Sequence, residues 1–486
     1  MEKITEYLKD KYGPWGWMGQ RAHDAAGINS ILPLDFIISC DYGTDVPHYF
    51  REDDVFSIEK HCKVRKDWSN EDLGASLRGA LGREIFERWN GYGRQVNLLC
   101  YRSVKRLEND VGHLLQKPRI YAMPERLKKR FDNKILLHRN LERLSLTKIP
   151  GKIDKLGKNT FNSLRRELAL PFVIQFPYGS SGNFTFIIRQ EKEYNRIRKM
   201  YPDSTVVIRK YIDGFSMNVN AAIVSTQDGT RTVCTVPSVQ IAGAPECSNF
   251  PSAFCGNDYA AAQDLDRGII KQVEEHIRVI GKWMAESGFR GVFGMDFVTE
   301  KGTVYPVEIN PRFQNSTSIY TVLKSMSRPR EEALFLLHIA EFLQKEDKRM
   351  RAYVRDFPAR ELMRPVNGSQ IILHNRRQRN VVTGALDAGV YRMEGGKLIF
   401  IKEGATLDRC AGDDILVTCG VPKPYTVIEP NAPICKIQMR GNALNTANKR
   451  KLSGEAKKIV GCIYRKLALE DADKPEMAGA KREGTA

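Results

Sequence analysis

The sequence predicts a protein of mixed α/β and α+β class with about three lobes, and three observations carry that reading. The chain has 486 residues, more than one hydrophobic core usually organises. Over residues 1–124, short apolar runs alternate with helical stretches. From residue 171 onward, closely spaced strands and glycine turns dominate. The expected divisions are an α/β lobe at 1–124, a central α+β domain at 125–350, a β-rich carboxyl-terminal lobe at 351–470, and a disordered tail at 471–486 rich in small and charged residues.

In chain order, the apolar runs at 34–40 and 96–101 read as buried strands. A single basic helix is expected over 124–144. A hairpin follows, with strands at 171–176 and 184–188 around a glycine-serine tip at 177–183. Next come a helix at 191–200, a strand at 206–212 ending in the turn Asp213-Gly214, and a strand at 218–224. Ile269, Val273, Ile277, Ile280 and Met284 recur at spacings of three and four, so one helix face is apolar and the helix stops near Gly288. A second hairpin pairs 292–298 with 304–312 across an expected three-residue loop at 301–303. Beyond it lie a helix at 329–346, a strand-rich stretch at 365–440 and a last helix at 453–468.

Apolar residues at 42% and charged residues at 28% are ordinary for a globular protein. No apolar stretch reaches the length of a membrane span. The amino-terminal residues mix acids and bases where a secretory leader would be basic and then apolar, so a cytosolic location is expected. Ten cysteines at irregular spacing indicate neither a disulfide framework nor a zinc site. The net charge of +18 suits a polyanion or a phosphate-rich substrate. Its lysines and arginines are dispersed, without the aromatic interleaving of a nucleic-acid platform, so solvated basic faces are the plainer explanation.

The chemistry concentrates in the second hairpin. Glu308 and Asn310 share one strand face, and the expected loop sets Asp296 opposite Glu308. Two carboxylates that close repel, and a hard divalent cation with oxygen ligands resolves the conflict. The plainer alternative is a solvated acidic face. Against it stands Asn310-Pro311-Arg312, a rigid strand end that aims a planar cation at the same patch. The tip with Gly179, Ser180, Ser181 and Gly182 suits backbone contact with phosphate oxygens, or is simply a turn. Lys210, Tyr211 and Ile212 end an apolar strand and can offer main-chain groups to a base edge. Lys134, in the basic helix, is either a phosphate ligand or a solvated charge.

Taken in order, these elements resemble the ATP-grasp superfamily, over about residues 125–325. Phe131 to Lys134 and Leu146 to Pro150 resemble the stretch that opens the grasp region, and 171–188 is similar to the flexible phosphate loop. Residues 208–214 resemble the adenine-contacting hinge, and 294–312 the magnesium site. The resemblance implies an ATP-grasp fold with a pre-grasp α/β domain and a β-rich closing lobe. It implies ATP and Mg²⁺ (or Mn²⁺) as cofactors, with Asp296, Glu308 and Asn310 as metal ligands. Lys134, Gln175, Gly179, Ser180, Ser181, Gly182, Lys210, Tyr211 and Ile212 would meet the nucleotide, and Arg312 would steady an acyl phosphate. Two departures stand out: Gln175 replaces the family's phosphate-binding lysine, and Arg209 replaces its hinge acid. The implied activity is ligation of a small-molecule carboxylate to an amine through an acyl phosphate, with ADP and phosphate released. A biotin-carboxylase-like bicarbonate-activating enzyme, or a basic nucleic-acid-binding protein with a degenerate ATP site, are the alternatives. No membrane partner is expected, and a homodimer is left open.

Overall fold

The alternation of apolar runs and helices in the first lobe folds as the parallel sheet that such alternation favours. The computed structural model describes residues 3–62, 68–103, 107, 117–179, 182, 184–327, 333–377 and 379–472. Strands β1 (Trp15–Met18), β2 (Phe36–Ser39), β3 (Val55–Ser57), β4 (Asn97–Cys100) and β5 (Arg119–Tyr121) lie in the order β3-β2-β1-β4-β5. All four pairings are parallel. Side chains alternate between two cores: Trp15, Trp17 and Ile37 pack on one face, Met18, Phe36 and Ile38 on the other. The order reverses direction at β1, so the carboxyl ends of β1 and β4 diverge into a crevice.

A smaller antiparallel sheet follows, from β6 (Gly151–Lys155), β7 (Phe172–Gln175), β8 (Thr185–Ile188) and β9 (Thr205–Lys210), ordered β6-β9-β7-β8. Helices Phe161–Leu168 and Glu191–Met200 supply Leu164, Tyr194 and Ile197 to its private core with Phe172, Ile174, Val206 and Ile208. By strand alternation, Val173, Gln175 and Arg209 share the opposite face.

The largest sheet begins with β10 (Phe215–Thr226), β11 (Gly229–Cys234), β12 (Ser238–Ala242), β13 (Phe254–Asp258), β14 (Gly291–Glu300) and β15 (Thr303–Asn310). The carboxyl-terminal strands are β16 (Ser369–His374), β17 (Asn380–Val382), β18 (Gly389–Glu394), β19 (Lys397–Lys402), β20 (Ile415–Thr418), β21 (Val427–Ile428), β22 (Pro433–Met439) and β23 (Leu469–Asp471), of which β16, β18, β19, β20 and β22 continue the largest sheet. The path is β15-β14-β10-β12-β13-β16-β22-β20-β18-β19 with β11 beside β10, while β21-β17-β23 form a separate small sheet. The pairing of β13 with β16 makes the strand-rich stretch at 365–440 continuous with the central domain. Helix Arg267–Glu286, capped by Asp266, buries Val273, Ile277 and Ile280 with Val219, Phe293 and Met295.

Two expectations need correction. The helix at 124–144 is two helices, Glu125–Asp132 and Lys134–Asn140. Asn133 leaves helical geometry (ψ 107°) and its side chain accepts from Leu136 N–H, capping the second helix. The expected helix at 329–346 is Leu334–Leu343; its first positions, 329–332, lie outside the described residues, as do residues 473–486 of the tail. Among the described residues, no helix is long and apolar enough to cross a membrane.

Candidate active site

The hairpin β14–β15 turns on Lys301 and Gly302, both with positive φ (51° and 80°), the backbone that tight hairpins require. This corrects the expected three-residue loop. The turn takes two residues, and a bulge beside Phe297 supplies the extra one, so Phe297 faces Pro306 while Asp296 faces Glu308. Asn310 faces Gly294, placing Asp296, Glu308 and Asn310 on one face. Gly294 leaves room for the Gln314 carboxamide, which a Cβ there would approach to 1.9 Å and displace.

Asp296 sits in a ring of carboxamides. It accepts from Asn218 at 3.1 Å, Gln240 at 3.1 Å, Asn310 at 3.1 Å and Gln314 at 3.5 Å. Glu308 accepts from Lys134 Nζ at 2.9 Å. Burial raises the Asp296 carboxyl above its ordinary range, against the Asn218 and Asn310 hydrogen bonds. Burial pushes Glu308 up to about 7, with Lys134 opposing and Asp296 adding to the rise. Two partly buried acids face each other with one directly bonded lysine between two carboxylates, and the ligand atoms they offer are all oxygen. That set fits magnesium or manganese, which takes one or two carboxylates and leaves the other positions to phosphates and water. Among the described residues no cluster of three His, Cys, Asp or Glu offers a fuller cage.

Lys134 begins its helix beside this patch because the Asn133 cap turns the chain there. It is 4% exposed, which excludes the solvated-charge alternative. Its Nζ also donates to Gly179 O at 3.0 Å, and its backbone N–H to Pro177 O at 3.0 Å. One lysine thus links the glycine tip to the acidic strand. Ser180, Ser181 and Asn183 lie outside the described residues. Gly182 (φ 85°) approaches the loop before β13 so closely that a Cβ would lie 2.0 Å from Ser252 O, and Ser252 Oγ donates to Gly182 O at 3.2 Å.

On the small sheet, Arg209 donates to Gln175 Oε1 at 2.7 Å, and Gln175 donates to Thr185 at 3.4 Å. Burial pushes the Arg209 guanidinium down to about 10, with Glu308 pulling the other way. Lys210 is exposed and its N–H is taken by Pro150 O at 2.9 Å. The Tyr211 hydroxyl accepts from Arg450 at 3.1 Å. A cavity of about 490 Å³ runs from Arg209, Lys210, Tyr211 and Ile212 past Gln175 and Gly182 to Asp296, Glu308 and Asn310. Cations (Arg209, Lys210) line it toward one end and carboxylates (Asp296, Glu308) toward the other.

Residues 131–316 match the ATP-grasp domain family. This segment is an ATP-grasp domain. Solved structures share its fold well beyond that segment. Biotin carboxylase from Campylobacter jejuni gives a TM-score of 0.54 at 13% identity over 94% of this chain and 92% of its own. The biotin carboxylase domain of 2-oxoglutarate carboxylase from Hydrogenobacter thermophilus, solved with MgADP, ADP and bicarbonate, gives 0.53 at 12% over 88% and 86%. Phosphoribosylamine–glycine ligase from Thermotoga maritima gives 0.52 at 12% over 94% and 97%. Comparison with curated proteins gave no sequence match.

Arg312 leaves the acidic end of the ATP-grasp domain toward the first lobe. It donates to Asn310 Oδ1 at 2.8 Å, Phe313 O at 2.9 Å and Tyr101 Oη at 3.1 Å. A second cavity, of about 210 Å³, begins there, and Arg312 and Asn315 line both. Sequence reasoning missed Asn218, Gln240, Gln314 and Arg450, which reach the ATP-grasp site from separate elements, and it found no motif in the first lobe. The segment 237–243 sends Gln240, Ala242 and Gly243 to the larger cavity. Asp258 is structural: it accepts from Ala261, Ala443 and Leu444 N–H groups.

Proposed function

We propose that the protein is an ATP-dependent ligase that joins a carboxylate to an amine through an acyl phosphate, with 1–124, 125–350 and 351–470 as its lobes. The observation that carries this reading is the pairing of Asp296 with Glu308 at the end of a cavity whose other end is the 209–212 strand terminus. Asp296, Glu308 and Asn310 would hold Mg²⁺ (or Mn²⁺), which when bound neutralises charge on the phosphates.

In the first step a carboxylate oxygen attacks the γ-phosphorus, the bond to the bridging oxygen breaks, and ADP leaves. Lys134 and Arg209 stabilise the charge spread over the transferring group. In the second step the amine attacks the acyl carbon, phosphate departs with the C–O electron pair, and the amine proton passes to phosphate or water. Arg312 holds the carboxylate in line through both steps. The tip at 179–182 excludes water that would hydrolyse the intermediate. The fold likeness to a bicarbonate-bound carboxylase domain leaves a carboxylating rival, and the product separates the two.

The test is ADP release on pooled carboxylates and amines, with mass spectrometry of products. An amide should appear, and Glu308→Gln should lower the rate by about 100-fold or more, the scale expected when a buried charge that acts in the transition state is lost. Full activity in Glu308→Gln would remove the assignment.

A further inference from the structure

The path of the largest sheet ends on two strands that are finished differently. At one end β15 is covered: helix Arg267–Glu286 lies against it, Val304 N–H donates to Gln272 Oε1 at 3.1 Å, and Val304 O accepts from the Thr147 hydroxyl. At the other end β19 pairs with β18 alone. Among the described residues, no other segment bonds to the backbone of 397–402. Unpaired strand backbone is a template for a further strand.

That edge is apolar. Ile399, Phe400 and Ile401 are 40, 41 and 39% exposed, where a regular strand on a core would bury every second side chain. The strand bulges: Val390 faces Lys402 and Tyr391 faces Phe400, so Ile401 has no partner on β18. Phe400 is held in place, its ring edge-on to Tyr391 with centroids 5.3 Å apart and so close to Gly389 that a Cβ there would lie 2.8 Å from it. A rim already ordered loses little further entropy when a partner covers it.

The charges that flank the rim select the partner. Lys397 precedes it, Lys402 and Glu403 follow it, and all three are exposed. Lys397 and Glu403 form no ion pair among the described residues, while Arg392 on β18 is taken by Asp414 at 2.7 Å and has Glu394 at 4.0 Å. Antiparallel pairing of β19 with itself can be centred between Ile399 and Phe400 or on Phe400. The first register sets Lys397 against Lys402 of the other copy, a like-charge pair made twice. The second sets Lys397 against Glu403, Ile399 against Ile401 and Phe400 against Phe400, and one two-fold axis makes both ion pairs. Lys402 and the bulge thus disfavour the even register and leave the one centred on Phe400.

We infer that β19 is a dimerisation edge, on which a second copy of this chain pairs antiparallel about an axis through Phe400. The inference is independent of the ligase reading, because no residue of β18 or β19 lines either cavity. A single strand edge is smaller than the standard interface of about 1,600 Å², so the dissociation constant should be on the order of 10 µM.

The test is sedimentation velocity on the full-length protein from about 1 to 200 µM, a range that brackets the expected midpoint. The parent chain should pass from one chain mass to two. Lys397→Glu and Glu403→Lys each turn two attractive contacts into repulsive ones and should weaken the dimer at least about tenfold. Combining them restores both pairs with the signs exchanged, and the double variant should regain the parent's affinity. Both side chains are exposed, so the variants should fold, and circular dichroism checks that they do. A parent chain that stays monomeric at the highest concentration overturns the inference. So does a dimer indifferent to both single reversals, or a double variant as weak as the weaker single one.

Discussion

Arg209 and Gln175 face the same cavity from adjacent strands and are joined by a hydrogen bond of 2.7 Å. They are the two positions at which this chain departs from the residues its resemblance leads one to expect, and they depart together. The positive charge missing at 175 is present one strand away, held by the amide that replaced it. A lysine at 175 beside Arg209 would set two cations together in a buried site, so each change makes sense only with the other.

Arg209→Met should therefore raise the KM for ATP about 10- to 100-fold, the range for a lost charge-assisted contact. Gln175→Ala should cost only a few-fold, and the double variant should be no worse than Arg209→Met, because the amide acts through the guanidinium. Steady-state kinetics on the four proteins check this; additive losses would separate the pair.

Lys134 bonds both Gly179 O and Glu308, so Lys134→Met should strike nucleotide affinity and turnover together. A fall in kcat/KM of about 100-fold is expected, on the scale of a buried ion pair broken on one side. Unchanged ATP binding by calorimetry would show that the lysine only ties the loop.

Gly182→Ala places a methyl group against Ser252 O at a positive φ. The tip then seats poorly. ADP should still be released, but the ratio of ligated product to ADP should fall as water reaches the intermediate. The melting temperature should change little, since Gly182 is not itself part of the private core of its sheet.

Asp347 tests the junction between the first lobe and the helix Lys348–Asp356. It accepts from Tyr7, Tyr12 and Lys11 at 2.7, 2.7 and 2.9 Å and caps that helix through Arg349 and Met350 N–H groups. Burial alone would raise its carboxyl, but the hydrogen bonds from Lys11, Tyr12 and Tyr7 outweigh it and hold the group well below the ordinary carboxylate range. A depressed folded pKa stabilises above the unfolded value, near pH 4, and that contribution is lost as pH falls below it. Asp347→Asn should cost about 2–3 kcal/mol at pH 7, and the gap between its melting temperature and that of the parent protein should start to narrow as pH falls below about 4. A constant gap across that range would refute the assignment.

How much of this was legible depended on sequence distance. The pair Asp296–Glu308 lies within one hairpin, so strand periodicity brought it together even with the turn counted one residue too long; the bulge beside Phe297 compensated. The helix Arg267–Glu286 showed in the spacing of its apolar face. By contrast β1, β3 and β5 are three or four residues long and, unlike β2 and β4, do not sit inside the apolar runs at 34–40 and 96–101, and without them no sheet order could place Arg21, Asp41 and Arg102 at one crevice. Asn218, Gln240 and Gln314 converge on Asp296 from three elements and carry no local pattern. Asn133 was the one missed signal within reach, a cap residue inside a supposed helix.

The hydrogen-bonded seam between β13 and β16 has a practical consequence. Excising 131–316 as a minimal fragment would strip β16 away and leave β13 as a bare edge where the sheet had been continuous, ready to pair with another copy. The family boundary stops short of the sheet: the strand that pairs with β13 lies more than fifty positions beyond the end of the matched segment.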